Sequence, residues 1–207
     1  MHRDEVATAH GTCVLVTLDD HELVDALAAL PAEEQARAHT LSPIRRREWI
    51  TGRTALHAAG VAGAILSTAR GAPILPSGLV GSVSHKGATA AAIVTPASAG
   101  YIGIDLERAA APRLDIAIQI LTAREQAALP DRGRAVTLRF AIKEAIYKAV
   151  DPIVNRYVGF TEVELEVRTD GSCHVHVLDA SRLPVVVDAW WYEHDGLWLA
   201  TARGRSR

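Results

Sequence analysis

The sequence is expected to fold as an α+β protein built from two α/β lobes of similar bulk, residues 1–99 and 100–207, and three observations carry that expectation. First, the stretch Pro96-Ala-Ser-Ala-Gly100 gathers small, turn-forming residues and is followed by a fresh strand pattern, Tyr101 to Glu107. Second, each side of this break runs through helical and strand patterns of comparable extent. Third, the C-terminal part reads as two hairpins. Thr161 to Val167 meets Ser172 to Leu178 across Asp170-Gly171, and Val185 to Tyr192 meets Leu197 to Ala202 across Asp195-Gly196. No sequence repeat links the halves, so any pseudo-symmetry must be structural.

In chain order, Thr12 to Leu18 reads as a strand, and Glu22 to Leu30 and Ala32 to His39 read as short helices. A longer helix is expected from Ile44 to Leu66. Arg45, Arg46 and Arg47 crowd its first turn, and Arg53 lies nearly in register with Arg46, which predicts a cationic stripe. The turn-rich loop from Arg70 to Gly78 leads to Gly81-Ser-Val-Ser-His-Lys-Gly87, expected at the entrance to a buried strand pair that includes Ala90 to Val94. In the second lobe a linker containing Pro112 precedes a short helix opening at Thr122. Thr122-Ala-Arg-Glu125 has the form of a capping box, which accounts for Glu125 without catalysis. A helix over Ala135 to Val150 follows.

With 207 residues, 49% of them hydrophobic and 22% charged, the chain has ample apolar content for a folded core. A net charge of −2 removes the usual electrostatic reason to expect a nucleic-acid partner. The N-terminal Met1-His-Arg-Asp-Glu-Val lacks the apolar core of a signal peptide, and no apolar run approaches the roughly 18 residues of a membrane span. A cytoplasmic protein is therefore expected. Cys13 and Cys173 are too few for a disulfide framework and are expected as thiols.

The chemistry concentrates in two segments. In Gly103-Ile-Asp-Leu-Glu107 the carboxylates of Asp105 and Glu107 alternate with apolar residues and so share one side of a strand. In Phe140-Ala-Ile-Lys-Glu-Ala-Ile-Tyr-Lys-Ala-Val150, Lys143, Glu144 and Lys148 are expected on one helical face, with Tyr147 beside them. Asp105, Glu107 and Glu144 offer only oxygen, a donor set for Mg²⁺ or Mn²⁺ rather than zinc. Taken singly each acid reads as a solvated edge or an ion pair, Glu144 with Lys148 for example. Acids in a strand otherwise reading Tyr-Ile-Gly-Ile call for partners, which favours the three acting together. Arg45, Arg46, Arg53, Arg70, His85, Lys143 and Lys148 supply cations for phosphate, and Ser84 adds a hydroxyl beside His85. His174 and His176 alternate beside Cys173 with a spacing that suits zinc, but without a second ligand pair they read as an exposed strand face. Trp190, Trp191 and Trp198 suit the core and cross-strand pairs of the last hairpin.

Four of these elements, in order, resemble the two-lobed, Sfp-like 4′-phosphopantetheinyl transferases. Gly103-Ile-Asp-Leu-Glu107 resembles the family's G-[IV]-D-x-E motif, and Phe140 to Lys148 resembles W-x-x-K-E-[AS]-x-x-K with phenylalanine for tryptophan. Gly81-Ser-Val-Ser-His85 resembles the S-[IL]-[ST]-H segment, followed here by Lys86 where a small polar residue is usual. Arg45 to Arg53 with Arg70-Gly-Ala-Pro73 resembles the basic helix and loop of members serving siderophore and nonribosomal peptide synthetases.

The resemblance implies two lobes related by a pseudo-twofold axis with the site at their interface, in a monomer. It implies Mg²⁺ on Asp105, Glu107 and Glu144 and coenzyme A on Arg45, Arg46, Arg53, Arg70, Ser84 and His85, with Lys143 and Lys148 near the reacting phosphate. Glu144 and Lys148 would be catalytic, with Glu125 a weaker alternative base. The partner implied is an apo carrier protein of peptide, polyketide or fatty-acid synthesis. Two other readings of the residues stand beside it: a non-catalytic module that binds coenzyme A or a carrier protein, and a Mg²⁺-dependent nucleotide phosphohydrolase.

Overall fold

The computed structural model describes residues 1–129 and 132–207. It divides into two compact units, Met1–Ala99 and Gly100–Arg207, each α+β.

Unit 1 contains β1 (His2–Thr8), β2 (Gly11–Thr17), α1 (Glu22–Ala29), α2 (Ala32–His39), α3 (Pro43–Ala58), β3 (Leu79–Lys86) and β4 (Thr89–Pro96). Its antiparallel sheet has the order β1-β2-β4-β3. The core lies between α3 and the sheet, where Val14, Val16, Ile50, Leu56, Ala90 and Ala92 pack together. Strand β1 has no apolar alternation; it is a charged edge strand paired with β2 from His2↔Thr17 to Thr8↔Gly11, a solvated edge of the kind that resists further pairing. Helix α3 ends at Ala58 rather than Leu66. Gly60, at φ +95°, follows the C-cap Ala59 in the left-handed conformation that closes helices.

Unit 2 contains β5 (Tyr101–Arg108), α4 (Ala117–Ile120), α5 (Ala123–Ala128), α6 (Arg134–Val154), β6 (Val163–Val167), β7 (Ser172–Val177), β8 (Val185–His194) and β9 (Leu197–Ser206). Its antiparallel sheet runs β5-β9-β8-β7-β6, so β5 and β6 are the two edges. Both expected hairpins form, β6–β7 and β8–β9. Helix α6 lies on the sheet through Ala141, Ala145, Ala149 and Ile146, all at most 1% exposed. Trp191 and Trp198 meet edge to face at 5.3 Å across the last hairpin, as the sequence suggested. Cys13 and Cys173 are buried thiols, each pushed up to about 12 chiefly by desolvation.

Candidate active site

Within unit 2, the small residues of α6 bring it against β5. A Cβ on Gly103 would run into the carbonyl oxygen of Ala145 and lie 2.8 Å from the amide nitrogen of Ala149. Only glycine permits that approach. Asp105 and Glu107 follow Gly103 at steps of two and therefore share its side of β5, the side that meets the helix. Lys148 reaches across from α6: its Nζ donates to Asp105 Oδ1 at 2.8 Å and to the carbonyl of Ile104 at 2.9 Å.

Glu144 lies one turn before Lys148 and is half-buried, as are Phe140, Tyr147 and Lys148 on the same stripe. Burial raises the proton affinity of its carboxyl above the ordinary carboxylate value. Asp105 raises it further, Lys148 opposes the shift, and Glu107 adds to it. Asp105 and Glu107 are thus both within electrostatic reach of Glu144, with Lys148 beside them. Oxygen-only donors of this kind suit a hard divalent cation, although Asp105, Glu107 and Glu144 are not among the groups of described residues whose ligand atoms all lie within 4.8 Å of one another.

Lys143 is not part of this face. It lies about 140° round the helix from Lys148, and its side chain, 1% exposed, donates to Glu125 Oε2 at 2.6 Å and to the carbonyl of Ile120 at 2.8 Å. The expectation that Lys143, Glu144 and Lys148 share a face is corrected: Lys143 is an interior cation, its proton affinity lowered by desolvation against the pull of Glu125. Glu125 also receives Leu165 N at 3.0 Å and closes the capping box with Thr122, whose hydroxyl donates to Glu164. The network ties α5, α6 and β6 together. Lys143→Met, which strands the Glu125 carboxylate indoors, is expected to cost about 3–5 kcal/mol of stability, read as a lower urea midpoint.

In unit 1 the expected arginine stripe is divided by its partners. Arg46 donates to the carbonyls of Ala38, His39 and Leu41, and Arg47 pairs with Asp20. Arg53 is 4% exposed; it donates to Ile65 O and Ser67 Oγ, and its guanidinium lies 3.8 Å over the Trp49 ring. Arg46 therefore fastens the end of α2 and Leu41 to α3, and Arg53 fastens the loop at residues 65–67 to it from a buried position. Arg45 is the exposed member, its side chain 71% accessible with Glu48 one turn along. Arg70 is exposed in the turn between Ser67 and Pro73.

Gly81 to Lys86 lies within β3 itself rather than at an entrance to it. Ser84 and His85 consequently leave opposite faces of the strand. Ser84 is buried, whereas His85 Nδ1 lies 3.6 Å from Glu48 Oε1 on α3. Sequence reasoning missed the interior pair of Glu34, fully buried, and His57, whose Nε2 lies 3.0 Å from Glu34 Oε1. An acid on an otherwise polar helix gives no sign of that role.

A model of the 4′-phosphopantetheinyl transferase superfamily matches residues 101–201, and one of the 4′-phosphopantetheinyl transferase N-terminal domain matches residues 32–95. The chain is 35% identical over 164 residues to 4′-phosphopantetheinyl transferase Npt of Nocardia iowensis, covering 73% of this chain and 72% of Npt. It is 33% identical over 156 residues to 4′-phosphopantetheinyl transferase PptT of Mycobacterium tuberculosis, covering 70% and 68%. Enterobactin synthase component D of Salmonella typhimurium is 31% identical over 164 residues, covering 73% and 68%.

Proposed function

Because the chain belongs to the 4′-phosphopantetheinyl transferase superfamily, we propose that it transfers the 4′-phosphopantetheine group of coenzyme A to a serine of an apo carrier protein and releases 3′,5′-ADP. The observation that carries this reading is the apposition of β5 and α6, which sets Lys148 on Asp105 and brings Asp105 and Glu107 within electrostatic reach of Glu144. These three carboxylates would hold Mg²⁺ or Mn²⁺. The bound cation supplies charge neutralisation at the pyrophosphate.

The remaining steps belong to the protein's own groups. Lys148, with one donor on Asp105 and another on a backbone carbonyl, is a fixed cation for the charge that develops on the phosphoryl oxygens. Glu144, on the same helical face as Lys148 and one turn before it, takes the proton of the serine hydroxyl directly or through water. The serine oxygen bonds to the β-phosphorus, the bond to the bridging oxygen breaks, and 3′,5′-ADP departs. Arg45, Arg70 and His85 are the unit 1 groups this reading keeps for coenzyme A. Arg53 and Lys143 are left out because they are buried with interior partners, and Arg46 because its guanidinium is spread over the backbone carbonyls of Ala38, His39 and Leu41. Similarity to enterobactin synthase component D supports a carrier protein of siderophore or other secondary-metabolite synthesis as acceptor.

The test is intact-mass spectrometry of an apo peptidyl carrier protein incubated with the chain, coenzyme A and Mg²⁺. The expected result is a gain of one phosphopantetheine group that EDTA abolishes. Hydrolysis of coenzyme A without any carrier would instead favour a phosphohydrolase, and calorimetric binding of coenzyme A with no modification of several carriers would favour a binding module.

A further inference from the structure

The β6–β7 hairpin carries a second group of ligands at the far edge of the unit 2 sheet. Four strand spacings separate β6 from β5, about 19 Å at the usual interval. Glu166 on β6 pairs directly with His174 on β7, and His176 follows two residues on, on the same face. His174 Nδ1 and His176 Nε2 lie 3.0 Å apart, and His176 Nε2 is 3.9 Å from Glu166 Oε2. One ligand atom from each of the three side chains falls within 4.8 Å of the others.

We propose that Glu166, His174 and His176 form a surface site for a borderline transition-metal cation, represented by Zn²⁺, chemically unlike the all-oxygen cluster on β5 and α6. Two nitrogens bound to zinc at about 2.0–2.1 Å and a tetrahedral angle stand about 3.3 Å apart, close to the observed separation. Imidazole nitrogen selects zinc over Mg²⁺, which prefers oxygen. The two nitrogens already share one proton, one donating and one accepting, and a bound cation takes the place of that proton once the rings turn their lone pairs towards it.

The neighbours define the composition of the site. Cys173 leaves the opposite face of β7 and is buried, so it is not a ligand. Glu164, opposite His176, is held by the Thr122 hydroxyl and by Arg124. Arg168 lies 3.6 Å from Glu166 Oε1, but that pair is exposed on both sides and competes weakly. Three protein ligands leave the fourth position of a tetrahedral ion open to water or an anion. The spacing of the two histidines was visible in the sequence, whereas Glu166 joined them only through the hairpin register.

The test is isothermal titration calorimetry of the full chain with ZnCl₂ in the presence of excess Mg²⁺, which occupies oxygen-only sites. Binding of one Zn²⁺ per chain is expected. Removal of either ring, His174→Ala or His176→Ala, should weaken it at least about tenfold, and the double variant should abolish it with an unchanged circular dichroism spectrum. Zinc should also shift the ring-nitrogen NMR resonances of His174 and His176 in the unaltered chain. Absence of saturable uptake, or uptake that persists in the double variant, would overturn the proposal. Carrier-protein transfer is expected to be the same in these variants, so the result is separable from the fate of the proposed function.

Discussion

Asp105→Ala is expected to lower transfer to the carrier protein by on the order of 10³-fold, the equivalent of about 4 kcal/mol of transition-state stabilisation. The residue does two things at once. It is one of the three acids proposed to hold the metal, and it is the partner that fixes Lys148 Nζ at 2.8 Å. Asp105→Asn separates the two roles: the amide oxygen still accepts from Lys148, while the negative charge for a metal is gone. If the metal role dominates, Asn will be nearly as damaging as Ala.

A second readout, independent of turnover, is the stabilisation given by Mg²⁺. A ligand bound only by the folded state raises the melting temperature by mass action. The proton affinity of Glu144 is raised in the folded state, so without metal that residue holds its proton longer than the unfolded chain does. The corresponding stability is present below the unfolded carboxylate value of about 4.3. It is lost as pH rises through the higher folded value. Metal binding favours the ionised form and offsets that loss, so the gain in melting temperature with Mg²⁺ should grow with pH across this window. Glu144→Gln should flatten it. Full turnover by Glu144→Gln at saturating Mg²⁺ would remove Glu144 as base, and a Mg²⁺ gain retained by Asp105→Ala and Glu144→Gln would remove the carboxylate site.

The legible parts of the molecule are those where local chemistry and tertiary structure agree. The Asp170-Gly171 and Asp195-Gly196 turns produced their hairpins, and Thr122 capped its helix, because each device works over a few residues. The alternation of Asp105 and Glu107 survived because β-strand geometry fixes it. Strand β1 was illegible because an edge strand needs no apolar face. Arg53 and Lys143 misled because a cation reads alike whether it faces solvent or a buried acceptor; only the fold supplies Ile65 O for one and Glu125 for the other. For Lys143 the helical angle was already informative, since 140° from Lys148 places it on another face. The overlong α3 likewise passed over Gly60, a stop signal present in the sequence.

Gly103→Ala should disable the protein more broadly than the loss of any single carboxylate. The added methyl meets the Ala145 carbonyl and the Ala149 amide, which are backbone atoms of α6, so no side chain can rotate to make room. Either β5 or the helix must move. Overpacking a well-filled interior costs about 1–3 kcal/mol, and the backbone obstruction here puts the expected loss at or above the top of that range. The catalytic loss comes from the same displacement, because α6 carries Glu144 and Lys148 while β5 carries Asp105 and Glu107. A shift of about 1 Å between reacting groups is enough for a roughly 10²-fold fall in rate. Gly204→Ala is the matched control: its Cβ meets the Ala149 carbonyl at 2.8 Å, against the same helix but from β9, which carries none of the carboxylates. Both variants should show a lower urea midpoint. Only Gly103→Ala should also lose Mg²⁺-dependent stabilisation and most of its turnover under conditions where the chain remains folded. A Gly103→Ala chain with an unaltered midpoint and full transfer would mean that the close approach of β5 and α6 does not set the site.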